Sequence, residues 1–103
     1  MRIKKSAARQ YIEKLNGGRI TFGQMISSLR KSEDLSQVEL AKLLKISKAH
    51  LCDIEKGRRF VSLERAMDFA KIMGFSPISF ATRALEDQAH NAGLNVRIQL
   101  QTA

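Results

Sequence analysis

The stretch Leu35-Ser36-Gln37-Val38-Glu39-Leu40-Ala41-Lys42-Leu43-Leu44-Lys45-Ile46-Ser47-Lys48-Ala49-His50-Leu51-Cys52-Asp53-Ile54-Glu55-Lys56-Gly57 decides the fold. Ser36 followed three residues later by Glu39 is a capping box. Its hydroxyl and carboxylate each accept a backbone N–H that a helix start leaves unpaired. The helix opened there carries Leu40, Ala41, Leu43 and Leu44 as its apolar positions. Ser47 is a second cap only a few residues after Leu44. Its helix turns Leu51 and Ile54 inward and stops at Gly57. Two helices joined by so short a turn form a helix-turn-helix.

The same signals continue outward. Upstream, Thr21 and Gln24 form another capping box, and Phe22, Met25, Ile26 and Leu29 repeat at helical spacing. That helix ends near Glu33. Downstream, Ser62 caps a helix with Leu63, Ala66, Met67, Ala70 and Met73 on one stripe, ended by Gly74. Ser76-Pro77 is a cap followed by proline at the first helical position. The fifth helix runs to about Asn91, with Ile78, Ala81, Ala84 and Leu85 apolar, and Gly93 closes it. The expectation is an all-α, compact five-helix bundle with a helix-turn-helix, spanning residues 20–92.

Two segments flank it. Residues 1–19 form a basic arm or helix, with Ala8, Tyr11, Ile12 and Leu15 on a weak stripe before Gly17-Gly18. Arg2, Lys4, Lys5, Arg9, Lys14 and Arg19 face only Glu13, which suits a contact with phosphate or a protein partner better than a solvated tail. Residues 93–103 change period: Leu94, Val96, Ile98 and Leu100 alternate with polar residues, the pattern of a short C-terminal β-strand. One strand cannot satisfy its own backbone, so it pairs with another chain, a second copy or a different protein, or else it frays.

With 103 residues, the chain has room for one core and not two. Its net charge is +8, and the excess is local. Residues 1–61 hold 14 Lys/Arg against 6 Asp/Glu, whereas residues 62–103 hold 4 of each. Such a footprint suits a polyanion. A single cysteine, Cys52, excludes an intramolecular disulfide, and one Cys with two His is too thin for a zinc site. No apolar run is long enough to cross a membrane, and no apolar stretch follows the basic start as in a secretory signal. Neither a nucleophile–base pair nor a phosphate loop is present, which points away from an enzyme and from any cofactor. Basic residues that accompany the helix-turn-helix, and no apolar insertion face, argue against a membrane partner.

The chain resembles the lambda-repressor/Cro-like (XRE-type) transcriptional regulators. The resemblance rests on Leu29-Arg30-Lys31, Leu35-Ser36-Gln37-Val38-Glu39-Leu40-Ala41, Ile46-Ser47, and Leu51-Cys52-Asp53-Ile54-Glu55-Lys56-Gly57-Arg58-Arg59, and covers residues 21–74. It implies a cytoplasmic regulator, bacterial or phage and associated with the nucleoid. It also implies a homodimeric repressor that reads a palindromic operator in double-stranded DNA, with helix 47–56 in the major groove. Lys48, Ala49 and Asp53 would face the bases: Lys48 on guanine, Ala49 on a thymine methyl, Asp53 on cytosine N4 or as a repulsive element. Gln37, Ser47, His50, Lys56, Arg58 and Arg59 would serve the phosphates and positioning. Arg30 and Glu55 would form a structural salt bridge between the first helix and the recognition helix.

The resemblance has two departures. The family often has glycine where this chain has Lys45, which costs on the order of 1 kcal/mol if that residue is left-handed. The loop after Gly57 is short, so minor-groove contacts of longer-looped relatives are not expected. A dimer contact is expected from the fifth helix with Leu94, Val96, Ile98 and Leu100. A compatible second reading is an antitoxin that neutralises a protein toxin and represses its own operon. Cys52 reads as an inert thiol, and His90 as a surface residue. Met25, Met67 and Met73 read as packing, and the acidic residues after position 61 as solvated helix faces.

Overall fold

Five hydroxyl side chains start the five helices seen among residues 19–102, which the computed structural model describes. These helices are α1 (Phe22–Ser32), α2 (Gln37–Leu44), α3 (Lys48–Glu55), α4 (Leu63–Met73) and α5 (Pro77–Asn91). Thr21 and Ser36 complete the two capping boxes expected of them. Ser47 accepts from the His50 N–H, Ser62 from that of Arg65, and Ser76 from that of Ser79. Replacing such a cap by alanine costs about 1 kcal/mol. The helical stripe in residues 1–16 lies outside the described residues.

One core holds the helices together. Phe22, Met25, Ile26 and Leu29 from α1 meet Leu40, Ala41 and Leu44 from α2, and Leu51 and Ile54 from α3. Ala66, Phe69, Ala70 and Met73 of α4, and Phe80 and Ala84 of α5, close it from the other side. The Phe80 ring meets Phe22 edge-on and stacks on Phe75, both at 5.8 Å. Leu40 and Leu51 are fully buried, and truncating either to alanine would cost about 2–5 kcal/mol.

Three expectations need correction. Leu43, Leu63, Met67 and Ile78 are exposed rather than in the core. On α4, at about 100° per residue, Ala66, Phe69, Ala70 and Met73 form the buried face, with Leu63 and Met67 on its rim. The bulk of Phe69 and Met73 centres the face away from them.

The acidic side chains of α5 are not solvated. Asp87 accepts from the Phe22 N–H at 2.8 Å and pairs with Arg19, so it caps α1 from across the bundle. Glu86 accepts from the Ile98 N–H at 2.8 Å.

The expected C-terminal strand is absent: among the described residues no strand occurs, and residues 94–102 carry no regular structure. Leu94, Val96 and Leu100 are exposed, while Ile98 is half-buried. Period-two alternation describes a strand only where a second strand supplies ladder bonds. No such strand is present among the described residues, and a carboxylate of α5 takes the one tail N–H just described.

Candidate nucleic-acid interface

The turn between α2 and α3 is held by a strained residue. Lys45 closes α2 at φ 60°, ψ 42°, which is the left-handed conformation. Its N–H donates to the Ala41 and Lys42 carbonyls, and the Ile46 N–H donates to Ala41. This tight reversal sets the start of α3 at Ser47.

α3 is anchored from beneath at three points. Leu51 and Ile54 enter the core. At its C-terminal end, Glu55 takes both Arg30 Nε at 2.7 Å and Arg30 Nη2 at 3.1 Å. This two-pronged ion pair lies largely out of solvent, with 12% of the Arg30 and 5% of the Glu55 side chain exposed. Arg30 Nη1 also donates to the Leu35 carbonyl at 2.8 Å, so one guanidinium ties α1 to the loop before α2 and to α3. The third anchor is Gly23. A Cβ built on it would stand 2.1 Å from the Ile54 carbonyl oxygen and 2.8 Å from that of Glu55. Only glycine lets the α1 backbone approach α3 that closely.

The expected DNA-facing residues fall on the opposite side of α3 or just beyond it. Ser47, Lys48 and Ala49 are exposed, and His50 and Asp53 are half-buried. Lys56, Arg58 and Arg59 are exposed in the loop that follows. Lys48 therefore points away from the core that receives Leu51 and Ile54.

Two residues have partners that the sequence did not suggest. Gln37 donates from Nε2 to Glu55 at 3.0 Å, so its amide joins the Arg30–Glu55 cluster. Asp53 accepts from Arg58 Nε at 3.2 Å, an exposed pair that contributes little to stability but holds Arg58 against α3.

His50 sits in a positive field. Partial burial, then the charges of Arg59 and Arg65, lower its pKa from the usual histidine value, while Asp53 acts the other way. The Ser36 backbone N–H and hydroxyl, aided by Lys42, hold Glu39 below the usual carboxylate range against a smaller desolvation.

Sequence reasoning missed Gly23 and Asp87. A glycine inside the α1 stripe costs about 1 kcal/mol against alanine in a helix, which was the available signal for Gly23. Asp87 meets its partners across 65 residues or more, and no local pattern reports that. Among the described residues, no group of three or more His, Cys, Asp or Glu could hold a metal. None of the described helices is long and apolar enough to cross a membrane.

A recognition helix laid over a tight turn, its underside fixed and its upper surface open, defines the helix-turn-helix class of DNA-binding proteins. The chain belongs to the helix-turn-helix family of XRE type, whose profile matches residues 26–80. It is 35% identical over 63 residues to the control protein C.BamHI of Bacillus amyloliquefaciens, covering 60% of this chain and 78% of that protein. It is 38% identical over 55 residues to the immunity repressor protein of Bacillus phage phi105, covering 53% of this chain and 38% of the repressor. No solved structure matches the chain. It is therefore a DNA-binding regulator of transcription, a class that points away from catalysis. Neither relative is described as an antitoxin.

Proposed function

We propose that the protein is a sequence-specific repressor that binds a palindromic operator as a homodimer, with α3 in the major groove. The observation that carries this reading is the division of α3: Leu51, Ile54 and Glu55 are fixed from below, while Lys48 and Ala49 are open above. A rigid helix loses little freedom on docking, and base edges are read only by side chains held in register.

In this reading Lys48 donates to guanine O6 and N7, and Ala49 touches a thymine methyl. Asp53 offers cytosine N4 the carboxylate oxygen that Arg58 does not hold. Ser47, Lys56, Arg58 and Arg59 lie along the phosphates and set affinity without reading sequence. Gln37 acts through Glu55, steadying the end of α3 beside the backbone.

The dimer forms across α5 and the segment laid beside it. Ile78, Val96 and Leu100 are exposed around one open groove there, and Leu94 is exposed where the segment leaves α5. Residues 62–103 carry 4 Lys/Arg and 4 Asp/Glu, so a second copy meets no net repulsion on that side.

The test is selection of bound duplexes from a random pool at stated salt. The reading requires an inverted repeat with half-sites about one or two helical turns apart. Recovery of sequences with no shared motif would contradict it.

A further inference from the structure

The loop that leaves α3 folds back on the helix. Gly57 is left-handed at φ 76°. Its N–H donates to the Ile54 carbonyl at 3.1 Å, and the Arg58 N–H donates to the Asp53 carbonyl at 2.9 Å. These are the two bonds with which a left-handed glycine closes a helix. The same residues, Asp53 and Arg58, then meet through their side chains, with Arg58 Nε donating to Asp53 Oδ1 at 3.2 Å. The helix end itself thus brings the two groups together.

The place of this pair gives it a consequence for DNA. Asp53 lies on the open side of α3, away from Leu51 and Ile54, and 39% of its side chain is exposed. Lys48, Lys56 and Arg59 form no ion pair among the described residues. Arg58 differs from them in having an anion already at hand. The carboxylate accepts from the guanidinium as a phosphate oxygen would, and cancels the charge that Arg58 would bring to the DNA backbone. An exposed pair is weak enough to open, so it tunes Arg58 without removing it.

We propose that Asp53 sets the ratio of specific to non-specific binding by competing with the DNA phosphates for Arg58. This rests on the DNA-binding reading above and makes Asp53 a positioning residue as well as a base contact. Guanine and thymine edges offer the carboxylate no donor, so on random DNA it keeps its hold on Arg58. On the operator its second oxygen takes a cytosine N4–H, which offsets the weakened phosphate contact. One negative charge on the reading face therefore lowers affinity for random sequence more than for the operator.

The experiment compares Asp53→Asn with wild type over a salt series, on the selected operator and on a duplex of random sequence. It is repeated in an Arg58→Ala background. Asparagine keeps the shape of the side chain and removes its charge. On random DNA, Asp53→Asn is expected to bind up to about fivefold tighter, the worth of an exposed ion pair, and to steepen the salt dependence by up to about one phosphate contact. On the operator that gain is offset by the lost charged acceptor at cytosine N4, so the ratio of the two affinities falls. In Arg58→Ala the same substitution is expected to leave the salt slope unchanged, because there is no arginine to release. Unchanged or weaker binding of random DNA by Asp53→Asn would overturn the proposal and leave DNA binding intact. So would an equal steepening in both backgrounds, which would make Asp53 a plain repulsive charge. Failure of the wild type to bind any duplex at any salt would overturn both readings.

Discussion

Residues 19–61 and residues 62–102 are built by the same capping and stripe rules, yet they present opposite surfaces. The first half carries 9 Lys/Arg against 5 Asp/Glu and exposes the polar upper side of α3. The second carries 4 of each, and exposes Leu63, Met67, Ile72, Ile78, Leu94, Val96 and Leu100, against Val38, Leu43 and Phe60 in the first. In the first half the acidic groups hold the scaffold: Glu55 fixes Arg30 and Gln37 beneath α3, and Asp53 steadies Arg58. In the second, Asp87 and Glu86 spend their carboxylates tying α1 and the tail to α5. A charged surface over a rigid support suits DNA, whereas an apolar, neutral surface suits protein. On the proposed reading, the difference separates the reading of DNA from the assembly of a dimer.

The comparison breaks most readily at the support of α3. Glu55→Ala leaves Arg30 buried without its partner, and is expected to cost about 3–5 kcal/mol in denaturant unfolding. Gly23→Ala forces a methyl into the α3 carbonyls, and is expected to cost about 1–3 kcal/mol by the same assay. A neutral result for both would mean that α3 is held by the core alone. Next in size, Lys45→Gly relieves a left-handed lysine and should raise stability by about 1 kcal/mol, read as a higher melting temperature. The smallest effect on the fold is expected from ending the chain after Gly93. The helical core should change by less than about 0.5 kcal/mol, while sedimentation shifts from dimer to monomer. A truncated chain that stays dimeric would remove the tail from the interface.

What the sequence made legible was what is decided locally. Thr21, Ser36, Ser47, Ser62 and Ser76 bond to N–H groups three residues on, so every helix start could be read. The Arg30–Glu55 link came through family resemblance, and the geometry agrees. What failed depended on distant partners. Leu63 and Met67 look like core until Phe69 fixes which face of α4 turns inward. Asp87 looks like surface until the start of α1 is placed beside it. The alternation in residues 94–100 is real, but alternation without a second strand does not make a sheet. Asp53 and Arg58 are near in sequence, yet each was assigned to DNA and not to the other.

The most direct test of the account is the affinity of Lys48→Ala for the selected operator and for random DNA, with Arg58→Ala beside it at the same salt. If the upper surface of α3 reads bases, Lys48→Ala loses about 1–3 kcal/mol at one operator position and little on random DNA, whereas Arg58→Ala weakens both alike. Equal losses on operator and random DNA for Lys48→Ala would contradict it.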